Sequence, residues 1–204
     1  MTNILIFIGT ALTTASFVPY LRDIIRHGAR PRLVSWVIWS LLLGLMTVVS
    51  VEEKQWASAL VAGVSAFGCL AVVALGLRYA SRHVTRLERV TLVGALLGIA
   101  LWFVVDSPMV VMMIALAVDA LAYIPTFIHG WQEPEEESVL AFACAGVGEA
   151  IILVAVWMQH APLLGMLYPF YAGVFSLAMV ATLYASRFWY GTGDIEAAEA
   201  QYTV

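Results

Sequence analysis

"MIALAVDALAYIPTF", residues 113–127, places an aspartate and a proline in a stretch that is otherwise almost wholly apolar. Asp119 is its single charge, and Pro125 follows six residues later in Tyr123-Ile124-Pro125. A helix needs roughly 20 mostly apolar residues to cross a bilayer, and the flanking sequence extends this run to about 109–129. Near the start of the chain, Phe17-Val18-Pro19 repeats the pattern of aromatic, β-branched residue and proline. Two matching helix ends, one of them beside a buried acid, frame the reading of the rest.

Composition puts the chain in a membrane. Of its 204 residues, 62% are hydrophobic and 12% charged, and mean hydropathy is +0.91; a soluble domain is about 25% charged. The first residues, "MTNILIFIGTALTTASFVPYL", lack the basic leading region and small-residue cleavage site of a signal peptide and read as a span. Cys69 and Cys144 fall within apolar runs and read as small packing residues, not as a disulfide or a metal pair. No cofactor is expected. The arginines sit in short loops instead of forming one groove-sized basic face, so nucleic acid is not an expected partner.

Apolar runs set against loop signals predict seven transmembrane helices, at about 3–26, 33–51, 56–80, 88–105, 109–129, 138–158 and 162–189. Basic residues orient them. Arg22, Arg26, Arg30 and Arg32 flank the first loop, Arg78, Arg82, Arg86 and Arg89 flank the third, and Arg187 closes the last span. With seven crossings these share one side and Lys54 alone takes the other, which puts the N-terminus outside and the C-terminus inside.

The chain repeats itself. Beyond the proline triplets, His27-Gly28, Pro31 and Ser35 are echoed by His129-Gly130, Pro134 and Ser138, and Tyr79-Ala80-Ser81-Arg82 by Tyr184-Ala185-Ser186-Arg187, all at offsets of 102 to 106 residues. Ordered matches at nearly one offset predict a duplicated three-helix unit. The units are residues 1–82 and 108–190, joined by a linker helix within 83–107 that makes the copies parallel, with an unstructured cytoplasmic tail at 191–204. Parallel repeats of this kind occur in transporters, with the site between the copies near the midplane.

This pattern resembles the SWEET and PQ-loop families of 3+1+3 membrane transporters. The residues that carry the resemblance are Pro19 and Pro125, the loops "HGARPRLVSW" and "HGWQEPEEES", and the second-helix motif Leu33-Val34-Ser35-Trp36-Val37-Ile38-Trp39. That motif is similar to those of uncharacterised bacterial members. The "PQ" dipeptide itself is absent, since Tyr20 and Thr126 follow the prolines. The resemblance implies alternating access between two three-helix bundles in a cell (inner) membrane, with the prolines giving the bends. Sugar carriers of this kind use asparagine and tryptophan in the cavity; the only asparagine here is Asn3, so a sugar is disfavoured.

A charged carboxylate at mid-bilayer costs roughly 2.5–3.5 kcal/mol on insertion scales and commonly marks a proton or ion path. Two acids, Asp119 and Glu149, lie near the centres of helices that run in opposite directions, so they sit at matching depth. Thr13 and Met46 occupy the corresponding positions of the first unit, which makes the acid site asymmetric. Tyr123, one turn after Asp119, shares its face and is a candidate donor to it. Trp39 and Ser40 are candidate cavity residues on the second helix. Pro19, Pro125 and Pro169 each remove a helix hydrogen bond and are candidate gating positions.

The expected function is transport of a small solute or ion by alternating access, proton-coupled through the two acids. The alternative is a non-transporting receptor or assembly factor on the same scaffold, as the KDEL receptor illustrates for this architecture. An intramembrane enzyme is not expected, because that chemistry usually takes two aspartates and this chain offers one Asp and one Glu. A retinal protein would need a lysine within a helix, and Lys54 lies in a loop.

Overall fold

The computed structural model describes residues 2–52, 54, 56–79 and 84–202, with Ala57, Ser58, Pro108 and 191–202 as backbone only. Among them are eight α-helices and no strand: α1 (Thr2–Ala15), α2 (Phe17–Arg26), α3 (Leu33–Glu52), α4 (Trp56–Tyr79), α5 (Arg86–Trp102), α6 (Pro108–Gln132), α7 (Val139–Met158) and α8 (Leu163–Tyr202). A short 3₁₀ turn, Pro134–Glu136, precedes α7. Six spans are long and apolar enough to cross a membrane: 2–26, 33–52, 59–79, 109–132, 139–158 and 163–190. By length and composition the chain is therefore a multi-pass membrane protein.

Three features depart from the sequence expectation. The first span breaks at Ser16 into α1 and α2. Pro19 has no N–H for the Ala15 carbonyl four residues back, and next to that carbonyl the Ser16 hydroxyl donates to the Thr13 carbonyl at 2.6 Å. The linker helix is only 17 residues, about 25 Å long, short of the roughly 30 Å hydrocarbon core. It starts earlier than expected because Thr85 and Glu88 form a reciprocal capping box, which satisfies two orphan N–H groups. Finally, α8 runs on through 191–202, where an unstructured tail was expected; alanine and glutamate there are strong helix formers. The Ala80-Ser81-Arg82 part of the third-helix repeat lies outside the described residues.

Within residues 2–79, α4 packs against α1, α2 and α3, and α3 meets α2 through the ring contacts of Trp36 with Phe17 and Tyr20. Within 108–202, α8 packs against α6 and α7, whose backbones do not approach each other closely. Across the two groups, α1 and α2 pack on α7, and α3 packs on α6. The linker α5 lies against α6 and α3.

The α1–α7 crossing depends on two glycines. A Cβ on Gly9 would lie 2.7 Å from the Gly148 carbonyl oxygen, and one on Gly148 would lie 2.3 Å from Thr13 Oγ1. Small residues at such crossings let helix backbones close. Gly148→Ala is therefore expected to separate the helices and cost about 1–3 kcal/mol, read as a lower melting temperature in detergent. An unchanged melting temperature would show that the crossing is loose.

Candidate functional site

Asp119 projects from the middle of α6, with Tyr123 and Thr126 following on its face at helical spacing. The Tyr171 hydroxyl on α8 donates to Asp119 Oδ2 at 3.0 Å. The donor is thus Tyr171, not the spacing-based candidate Tyr123, whose hydroxyl pairs with Ser176 Oγ at 3.3 Å. Glu149 on α7 is 7% exposed and sits against α8, where a Cβ on Gly173 would be 3.5 Å from its own. No hydrogen bond to its carboxylate is found among the described residues. The Asp119 charge acts on Glu149, so the two acids share one electrostatic environment. Tyr123 and Tyr168 feel both acids, and Cys69 on α4 feels Asp119. Four helices, α4, α6, α7 and α8, converge on this point.

An aromatic chain joins that point to the arginine-rich end of the bundle. From the acids it runs through Tyr171–Phe175 at 4.4 Å between ring centroids, Phe175–Tyr123 at 5.1 Å, Tyr123–Trp39 at 4.9 Å, Trp39–Trp36 at 5.0 Å and Trp36–Tyr20 at 4.5 Å. Tilted and edge-on pairs of this kind contribute about 0.5–1.5 kcal/mol each beyond burial. Trp39 is therefore linked to Asp119 through the rings of Tyr123, Phe175 and Tyr171. Ser40 does not point its hydroxyl into this region; it donates to the Val37 carbonyl of its own helix at 2.8 Å. Thr13 lies beside Gly148, its buried hydroxyl oxygen without a partner, one residue along from Glu149.

The arginine-rich end is sealed by bonds between the two groups of helices. The Tyr20 hydroxyl donates to Glu137 Oε2 at 2.6 Å, Ser138 Oγ to Asp23 Oδ2 at 2.5 Å, and Thr126 Oγ1 to Ser35 Oγ at 2.8 Å. Arg30 adds an ion pair to Glu136 at 3.2 Å. Tyr20 and Thr126 are the residues that directly follow Pro19 and Pro125. Each reaches the start of the opposite group's second helix, where Ser138 and Ser35 are repeat counterparts. Pro125 and Pro169 both sit in the interior of unbroken helices, whereas Pro19 sits just past the break.

Two members of this end were not singled out in the sequence. Glu88 is 3% exposed and takes a two-pronged bond from Arg32, Nε to Oε1 at 3.0 Å and Nη2 to Oε2 at 2.6 Å. Glu137 is also 3% exposed, and its Oε1 has no partner. Burial pushes Glu137 up to about 8, the neighbouring Glu136 charge adds to the rise, and the Tyr20 hydrogen bond opposes it. Glutamates in an acidic loop look solvated in sequence, and only the packing of α2 on α7 buries this one.

Elsewhere, an apolar groove lined by Leu5, Val147, Ala150, Ile151, Val154 and Leu177 opens beside α1, α7 and α8 and holds neither acid. Among the described residues no three His, Cys, Asp or Glu side chains are placed to hold a metal ion, and both cysteines are free. Comparison with known protein families, with curated proteins and with solved structures finds no match to this chain.

Proposed function

We propose that this chain is a SWEET/PQ-loop-like 3+1+3 transporter of a small solute in a bacterial inner membrane, working by alternating access. The observation that carries the reading is the placement of Asp119 and Glu149. Two carboxylates stand among apolar helices, against the seam between residues 2–79 and 108–202, with one end of that seam sealed. Intramembrane acids are costly and mark proton or ion paths.

The packing supports the repeat. In both groups the third helix lies between the first and second, and the cross-contacts pair the first helix of one group with the second helix of the other. That is the pattern two parallel copies make about an axis normal to the membrane. The bonds from Tyr20 and Thr126 to the opposite group support a gate at the arginine-rich end, with Pro19 and Pro125 giving the first helices their freedom to bend. By the basic-residue rule this end is cytoplasmic and the N-terminus is outside, which makes the sealed arrangement an outward-facing or occluded one. The acids serve as the proton-coupled site; neutralising their charge lets the carrier reorient.

The reading predicts solute uptake into proteoliposomes that depends on pH. Combining Asp119→Asn with Glu149→Gln is expected to reduce uptake at least about tenfold, the rate cost of losing about 1.4 kcal/mol, and to flatten its pH profile. Full uptake with an unaltered pH profile in that double variant would sink the proposal.

A further inference from the structure

The charge inventory around the acids narrows what the site can hold. Helices α1, α3 and α7 contain no arginine, lysine or histidine; in α4, α6 and α8 these occur only as Arg78, His129 and Arg187, each far along its helix from the acids. The region therefore holds two carboxyls and no cation to neutralise them. The titratable groups that face them are Tyr123 on α6, Tyr168 and Tyr171 on α8 and Cys69 on α4. Helix α1 has none, and those of α3 and α5 stand at helix ends. Asp119 is only partly buried and Tyr168 is 42% exposed, so the cluster borders accessible space. Glu149, more than nine-tenths buried and without a hydrogen-bond partner, adds a second, separately anchored carboxylate.

The side chains that lead away from Asp119 are aromatic. Tyr171, Phe175, Tyr123 and Trp39 form an unbroken series of ring contacts of 4.4–5.1 Å leading away from Asp119. A metal ion would want several oxygen ligands in a closed shell, and the neighbours here are rings instead. A sugar would want several fixed donors and acceptors. Carboxylates beside aromatic faces are what an organic ammonium recognises: ion pairing at the charged head, ring quadrupoles around its methyl or methylene groups.

The geometry points to an organic ammonium ion as the substrate, held by Asp119 and Glu149 against the Tyr171–Phe175–Tyr123–Trp39 wall. This rests on the transport reading above. Charge balance gives the coupling. In a low-dielectric interior an unpaired charge is disfavoured, so the empty site is neutral with a proton on each carboxyl. An entering monovalent ammonium displaces one proton, from Asp119 to solvent, and pairs with the carboxylate left behind; Glu149 keeps its proton. The site is neutral before and after, and one ammonium is exchanged for one proton.

The test uses the full chain purified in detergent and then in proteoliposomes, with radiolabelled choline and benzyltrimethylammonium as probes and the uncharged tert-butyl analogue of choline as control. Both ammonium ions are expected to bind and the neutral analogue is not. Apparent affinity should weaken about tenfold for each unit of acidification, the signature of one displaced proton. Asp119→Asn should lower affinity about 30-fold or more, as removal of one partner of a buried charge pair does. Equal binding of the neutral analogue, no binding of either ammonium, or a wild-type affinity that does not change with pH would each overturn the assignment. The last of these needs no variant to fold. Flux of an uncharged solute that depends on Asp119 would overturn the ammonium assignment and leave the transporter. Ammonium binding with the expected pH slope but no flux would keep the site and overturn transport.

Discussion

An Arg32→Ala variant is expected to lose about 3–5 kcal/mol of stability, seen as a large fall in melting temperature. The reason is what it leaves behind. Glu88 is 3% exposed, and Arg32 supplies both a countercharge and two hydrogen bonds to it, at 3.0 and 2.6 Å. After truncation the carboxylate still accepts from the Thr85 backbone N–H at 2.8 Å and the Thr85 hydroxyl at 2.9 Å. Those neutral donors hold the helix cap but do not balance a buried charge. The effect should nearly vanish when Arg32→Ala is placed on a Glu88→Gln background, because no charge is then stranded. Equal losses in both backgrounds would show that Arg32 acts through packing alone. This pair also fixes the linker to the α2–α3 loop, so it sets where α5 can stand relative to both groups of helices.

The second large effect concerns pH at the sealed end. Glu137 rises to about 8 from an ordinary value of 4.5, because burial disfavours its charged form more than the Tyr20 hydrogen bond favours it. The groups around it are Tyr20, Asp23 and Arg32 from the first loop region, and Glu136 beside it. When the end opens, Glu137 meets water and returns toward its ordinary value. A group with a raised value in the closed arrangement stabilises that arrangement fully below about 4.5, and its contribution is lost as pH climbs through about 8. The full span of the effect is bounded at roughly 4–5 kcal/mol. Acid should therefore hold the arginine-rich end shut, and alkali should release it. Glu137→Gln keeps an acceptor for Tyr20 and removes the titration. It should abolish this pH dependence and leave the closed end at least as stable as wild type near neutrality. A Glu137→Gln variant that opens more readily than wild type at pH 7 would show that the ionised carboxylate is what holds the end.

Much of the architecture is legible in the residues. Apolar runs broken by short polar loops locate every helix among the described residues to within a few positions, apart from the break at Ser16 and the extension of α8. Lipid imposes this, since a spanning backbone must satisfy its own hydrogen bonds. The paired triplets ending in Pro19 and Pro125 locate two positions whose next residues, Tyr20 and Thr126, cross to the other group. What resists reading is anything set by which helix faces meet. Asp119 with Tyr123 is the natural pair along one helix, yet packing supplies Tyr171 from α8 as donor. Ser40 looks available for a cavity, yet its hydroxyl finds its own backbone. Glu88 and Glu137 look like ordinary loop acids until tertiary packing buries them. Pro19 and Pro125 look equivalent, yet only the first sits beside a broken helix.

The most direct test of alternating access is a distance measurement across the sealed end by pulsed electron resonance. Spin labels go at Arg26 and Glu133, both exposed and on opposite groups of helices, in a background with Cys69 and Cys144 replaced by alanine. The account predicts two distances. The shorter should dominate in acid, the longer should grow as pH rises toward about 8, and Glu137→Gln should remove the shift. A single distance, the same at every pH in protein that retains its fold, would contradict it.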